Sequence, residues 1–168
     1  SGRINRDYAV GRMAYNLNSN NTIFGRYLFN QEKLRTSPTL PAPANSGGRD
    51  FILKAQTVSL HYNRVFTPTL VNNFTAGYTR YRNRLGTLNS FVRDFVTPSG
   101  ITNTLSAVDP LFWATPVISV PGYLTTSEVT GNYRTMNTYQ IQESLLWQKG
   151  RHNIKIGGDT RLIKTYMF

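Results

Sequence analysis

From Tyr8 to Leu17 the chain alternates strictly. Ala9, Gly11, Met13, Tyr15 and Leu17 fall on one side of an extended strand, and Tyr8, Val10, Arg12, Ala14 and Asn16 on the other. One side is apolar and the other mixed. The cluster Asn18-Ser19-Asn20-Asn21 interrupts the period with turn formers, and from Thr22 it resumes with Ile23, Gly25, Tyr27 and Phe29 opposite Phe24, Arg26, Leu28 and Asn30. This pattern predicts a β-hairpin. The cleanest alternation runs from about Ile52 to Phe66, setting Val58, Leu60 and Tyr62 against Thr57, Ser59, His61 and Asn63. A turn at Thr67-Pro68-Thr69-Leu70, where proline cannot donate to a ladder, leads into Val71 to about Arg82, with Phe74, Ala76 and Tyr78 opposite Thr75, Gly77 and Thr79. A second hairpin follows.

Residues 137–148 are ambiguous by period alone, because the run Gln140 to Trp147 followed by Gly150 fits a capped helix as well as a strand. A turn at Lys149 to His152 comes next, and beyond it Ile154, Ile156, Leu162 and Tyr166 alternate with Lys155, Asp159, Arg161 and Thr165. A third hairpin is the consistent reading. Between the hairpins lie two stretches without period. Residues 32–49 hold three prolines and Gly47-Gly48, and residues 85–133 hold four prolines, the cluster Pro110-Leu111-Phe112-Trp113 and Gly131-Asn132. The predicted fold is all-β, an antiparallel up-and-down meander of about six long strands whose connections alternate short and long. Irregular stretches of this length are usually functional.

Composition sharpens the picture. Charged residues make up 16% of the 168 positions, against about 25% in soluble domains. No run approaches the roughly 18 apolar residues of a spanning helix, and the first residues lack the apolar core of a signal peptide. A transmembrane barrel remains open, since its strands need only about 9 to 11 residues each and alternate lipid-facing with lumen-facing side chains. Short turns at one end and long loops at the other match that architecture. So do two aromatic belts on the apolar face: Tyr15, Phe66, Phe74 and Trp147 beside the short turns, and Tyr27, Phe29, Tyr78, Tyr139 and Tyr166 toward the long loops. Arg64, Arg80 and Lys164 fall on that same face, where they are tolerated if they snorkel to an interface. Glu143 falls there in mid-strand, which predicts a bulge or register change.

The net charge of +11 comes from 19 basic residues, 14 of them arginine, against 8 acidic ones. It admits a second class of reading, a soluble basic β domain. Such a domain would bind nucleic acid through the strip Tyr78-Thr79-Arg80-Tyr81-Arg82-Asn83-Arg84, or carbohydrate through Trp113 and Tyr123. Arginine and tyrosine at a barrel rim, meeting the phosphates of lipopolysaccharide, account for the same charge.

The run Thr67 to Phe74, continuing to Gly77-Tyr78-Thr79-Arg80, resembles a recurrent hairpin of TonB-dependent outer-membrane receptors, especially the Oar-type group with a carboxypeptidase-regulatory-like N-terminal domain. Arg12 with Tyr15-Asn16-Leu17, Phe24-Gly25-Arg26, and Trp147 with Gly150, His152, Ile154 to Gly158 and Asp159 look like further strand and turn motifs of that barrel. Ala14 and Asn73 depart from it, standing where the family often carries an acid. The resemblance implies an outer-membrane location and uptake of a bulky ligand. It also implies a plug domain and TonB as partners in a full-length parent, with outer-membrane lipid and lipopolysaccharide around it and no nucleic acid. The chain itself, residues 1–168, reads as a partial barrel without the plug, its ends cut within a larger sheet.

No constellation of acids, nucleophile and base, or metal spacing stands out, and no enzyme activity or cofactor is expected. Cysteine is absent, His61 and His152 have no acid at ligand spacing, and close strand packing explains Gly157-Gly158-Asp159 better than a phosphate loop. Asp94, Asp109 and Glu128 read as solvated acids of the second loop. In the barrel reading Arg12, Arg26, Thr57, Ser59, His61, Asn63, Thr75, Gln140, Gln142, Lys155, Asp159 and Arg161 face the lumen. Arg93, Asp94, Trp113 and Tyr123 are the candidates for ligand contact in the loops.

Overall fold

The computed structural model describes residues 2–42, 44, 47–124, 126 and 131–168; Glu128 lies outside them. Six strands, β1 (Arg3–Asn18), β2 (Asn21–Arg35), β3 (Arg49–Thr67), β4 (Leu70–Thr87), β5 (Asn132–Lys149) and β6 (His152–Met167), form one sheet in sequence order. Every neighbouring pair is antiparallel. Two-residue turns at Ser19-Asn20, Pro68-Thr69 and Gly150-Arg151 close the three hairpins at one end, and Gly150 takes the left-handed conformation its turn requires, at φ 59°. The long connections lie at the other end. Residues 137–148 are strand, with Gln140 paired to Gly77 on one side and Arg161 on the other. The ladder on both flanks decides what the period left open.

The strands outrun their sequence signal. β1 begins at Arg3, β2 continues to Arg35 and β4 to Thr87, so the long connections shrink to residues 36–48 and 88–131. The reason lies in the upper reaches of the strands, where both faces turn polar. Arg6 Nε meets Glu32 Oε2 at 2.9 Å on one face, and Gln31 Nε2 donates to Asp7 Oδ2 at 3.3 Å on the other. Alternation disappears there, and backbone hydrogen bonds carry the sheet alone.

Glu143 also departs from expectation. Its neighbours run in unbroken register, Phe74 opposite on β4 and Gly158 opposite on β6, with no bulge. The carboxylate stays on the apolar face, where it accepts a hydrogen bond from Asn72 Nδ2 at 2.5 Å. A neighbouring amide thus satisfies the charge that a register change was expected to move. The register shifts fall at Asn16/Asn18 and Val65/Thr67, beside the short turns. Gly157 shows the close approach read from its sequence: a Cβ there would lie 2.5 Å from the Glu143 carbonyl oxygen, whereas one on Gly158 would meet nothing.

The described part of the second long connection is folded. Leu111 is fully buried, and a Cβ on Gly131, just before β5, would stand 2.8 Å from Leu111 Cγ. Around it Thr87 Oγ1 donates to the Trp113 carbonyl at 2.8 Å and Ser90 Oγ to the Leu111 carbonyl at 2.6 Å. Thr115 Oγ1 reaches the Ala44 carbonyl at 3.0 Å, tying this loop to the first. Leu111→Ala should cost about 2–5 kcal/mol through the cavity it leaves, and Gly131→Ala about 1–3 kcal/mol through overpacking. Both variants are expected to speed tryptic cleavage after Arg93 at least tenfold while far-ultraviolet circular dichroism of the sheet stays unchanged; cleavage at the wild-type rate would show that Leu111 does not hold the loop.

Candidate functional site

The register sorts the side chains into two surfaces. On the first, one row crosses all six strands as Met13, Gly25, Leu60, Ala76, Ile141 and Thr160, and the next as Gly11, Tyr27, Val58, Tyr78, Tyr139 and Leu162. These apolar groups are open to the surroundings: Met13 is 76% exposed, Val58 50% and Ile141 50%. A contiguous apolar surface of this extent on a described sheet marks contact with another apolar phase or partner.

Aromatic side chains bound that surface at two levels. Near the short turns Phe66 lies under the Arg64 guanidinium at 4.5 Å and Trp147 under Lys149 Nζ at 5.1 Å, so each ring is paired with a cation that can reach water. Tyr15 and Phe74 share one row just above. At the second level Tyr78 and Tyr139 pack with ring centres 5.0 Å apart, Tyr78 Oη donates to Asn137 Oδ1 at 2.8 Å, and Tyr27 Oη accepts from Gln56 Nε2 at 3.0 Å. Phe29 stands one step beyond, in register with Gln56. Tyr78 is eight residues from Leu70 and Tyr139 eight from Trp147, which is about 26 Å along a strand and some 20 Å across a membrane at the usual tilt. Tyr166 is placed differently from expectation. It stands opposite Thr135, in the row of Arg82 and Lys54, beyond the second aromatic level.

The opposite surface gathers all twelve residues singled out for a water-facing wall. Arg12, Arg26, Ser59, Gln140 and Arg161 form a single row with Gly77, and His61, Thr75, Gln142 and Asp159 fall in the next with Ala14 and Phe24. Thr57 Oγ1 and Thr79 Oγ1 are 3.2 Å apart, His61 Nδ1 and Thr75 Oγ1 3.0 Å, and Asn63 Nδ2 donates to Asn73 Oδ1 at 2.6 Å. Lys155 lies on the same side, across from Leu146. On β3 Thr57, Ser59 and His61 are half-buried while Val58 and Leu60 behind them are exposed, as on the inner side of a curved sheet; Asn63, nearer the short turn, is exposed. The tyrosine–arginine strip is divided by the strand: Arg80, Arg82 and Arg84 fall on the apolar surface with Tyr78, and Tyr81 on the other.

The four loop candidates do not converge. Among the described residues none of Arg93, Asp94, Trp113 and Tyr123 makes a hydrogen bond, ion pair or ring contact with another of the four. Arg93 lies over Phe95 at 4.9 Å, Trp113 Nε1 donates to the Ser106 carbonyl at 3.2 Å, and Tyr123 is 79% exposed. Asp94 is a structural cap, accepting from the amides of Val96 at 2.8 Å and Thr97 at 3.3 Å. Among the described residues no group of three His, Asp or Glu could hold a metal ion.

A meander of long antiparallel strands, one face apolar between two aromatic levels and the other hydrogen-bonded and polar, defines the sheet of an outer-membrane β-barrel. Residues 1–168 match the family described as an outer membrane beta barrel domain, and the chain belongs to that family. It is an outer-membrane protein. No curated protein and no solved structure matches the chain.

Burial pushes the Asp94 carboxyl up, and bonds from the Thr97 hydroxyl and the Val96 and Thr97 amides more than offset this, holding its pKa below the usual value. Its contribution is therefore present above the unfolded pKa and lost as pH falls through the lower folded value. Protection of the Val96 and Thr97 amides, corrected for intrinsic exchange, should stay constant from pH 8 to about 4 and decline below that. In Asp94→Asn protection should be lower and independent of pH; identical profiles in both proteins would remove Asp94 as the cap.

Proposed function

We propose that this sheet is part of the wall of a TonB-dependent transporter that takes up a bulky ligand across the outer membrane. The observation that carries the reading is the division of one continuous register into an exposed apolar face and a polar, internally hydrogen-bonded one. In this reading the first face meets lipid, and the row of Arg12, Arg26, Ser59, Gln140 and Arg161 lines a lumen wide enough for a plug domain. The residues that resemble the receptor family support it by their placement. Thr67 to Phe74 spans the turn between β3 and β4, and Trp147 to Ile156 the turn between β5 and β6.

The outer edges of β1 and β6 have no strand beside them among the described residues. Unpaired backbone groups cost several kcal/mol each in hydrocarbon, so in the membrane these edges are covered by further strands of a larger barrel. The loops 36–48 and 88–131, joined through Thr115 and Ala44, sit at the end where an external ligand arrives. Arg93 and Tyr123 are its contacts, while Asp94 and Trp113 shape the loop that presents them.

Residues 1–168 contain no cysteine, so in a receptor whose remaining segments are also free of cysteine single substitutions here report cleanly. In the full-length receptor Ser59→Cys should react slowly with a bulky water-soluble maleimide and at least tenfold faster once the plug is deleted. Val58→Cys should react only with a membrane-permeant reagent in both forms. Equal labelling of Ser59→Cys with and without a plug would reject the plugged-transporter reading, and aqueous labelling of Val58→Cys would reject the wall itself.

A further inference from the structure

Along the polar surface, the row of Arg12, Arg26, Ser59, Gln140 and Arg161 offers a hydrogen-bond donor from every side chain and no carboxylate. Arg12 lies directly opposite Arg26, which sets their Cβ atoms roughly 5 Å apart. Like charges placed this way repel unless an anion lies between them. Arg26 is five residues from Asn21, the first residue of β2, and so about 12 Å above the short turns at the usual strand tilt. The pair therefore sits at the height of the apolar band behind it, well below the long loops.

No counter-charge comes from the described residues. Their two ion pairs join Arg6 to Glu32 and Arg84 to Asp50, and among them neither Arg12 nor Arg26 has an acid partner. Arg26 Nε is buried and without a hydrogen-bond partner among the described residues, which costs free energy for as long as it stays unpaired. The adjoining rows on β1 to β3 hold Val10, Leu28 and Thr57 on one side and Ala14, Phe24 and His61 on the other. Asp159, one row away, stands on β6, four strands or about 19 Å from Arg26. Toward the short turns the Phe24 and His61 rings, 5.6 Å between centres, close the site from below, with His61 Nδ1 engaged by Thr75 Oγ1. On the β3 side the row continues to Ser59 and then to Gly77, which has no side chain to fill it.

We infer that Arg12 and Arg26 form a carboxylate-binding site in the wall of the sheet. The inference rests on the barrel reading, which turns this row toward the lumen. Each guanidinium presents parallel N–H groups in the fork that matches a carboxylate, and the Ser59 hydroxyl supplies a further donor beside Arg26. The bound anion relieves the repulsion between the two cations and gives the buried Nε an acceptor. The carboxylate has two sources open to it, a side chain of a segment seated in the lumen or a soluble acid passing through.

The test uses a conservative exchange in the full-length protein reconstituted in lipid vesicles. Arg12→Lys and Arg26→Lys each keep the charge, leave the other arginine in place and set an amine where a guanidinium stood. With a water-soluble carbodiimide and isotope-labelled citrate present, that amine should form an amide with the carboxylate held against it, read by mass spectrometry after digestion. Coupling should exceed that of Thr138→Lys, on the same wall but three strands from Arg26, about tenfold or more, because a guanidinium holds the carboxylate only at the first two positions. An adduct with a peptide from outside residues 1–168 supports the site and assigns the carboxylate to a segment in the lumen. An adduct with citrate supports it and assigns the carboxylate to a soluble acid. No adduct, an adduct with Asp159 alone, or equal coupling at Thr138→Lys would overturn the site. Cysteine labelling keeps the two failures apart: aqueous labelling of Val58→Cys removes the barrel wall, whereas an unlabelled Val58→Cys with no lysine adduct removes the site alone.

Discussion

A backbone amide or carbonyl without a partner cannot rest in hydrocarbon, and that constraint governs this protein from its register outward. Six strands answer it with one uninterrupted ladder in sequence order, disturbed only beside two of the short turns. With the backbone satisfied inside the sheet, each face is free to suit its own surroundings. Glu143 shows how firmly the ladder holds. The strand keeps its register through a charge on the apolar face, and Asn72 supplies the missing polarity from the side.

The two ends of the sheet follow different physics. At the short turns the strands stop together, and aromatic rings lie under Arg64 and Lys149. At the other end the strands continue for several residues with polar groups on both faces, and the second connection builds a small core of its own around Leu111, Thr87 and Ser90. A loop anchored this way presents its tip from a rigid base. The upper strand ends carry Lys33, Lys54, Arg82 and Lys164 beyond the second aromatic level, outside the apolar band.

Much of this was legible along the chain, and the physical reason is the two-residue period. From Thr57 to Asn63 the alternation is sharp because one side faces apolar surroundings and the other water, so both faces and the belts around Tyr78 and Trp147 could be read directly. Above Phe29 and Tyr78 that contrast fades, and the strand residues Arg3 to Asp7, Lys33 and Leu85 were invisible to it. The Leu111 core was hidden because it is assembled from single residues separated by prolines and glycines. The partner of Glu143 lies on the neighbouring strand, 71 residues away in sequence, beyond any local pattern. Tyr166 was set too low for lack of a vertical scale.

The central claim is that the band between Trp147 and Tyr139 lies in lipid. It is tested most directly by depth-dependent quenching with lipids brominated at defined acyl positions. Three proteins carry a single tryptophan: Trp113→Phe, which keeps Trp147, and two more that also replace Trp147 and introduce Tyr139→Trp or Leu60→Trp. Tryptophan at 147 and at 139 should be quenched most by bromines near the headgroups, and tryptophan at 60 most by bromines deep in the chains, with aqueous iodide ineffective at 60. Strong iodide quenching at position 60, or equal quenching of all three at every depth, would contradict the account.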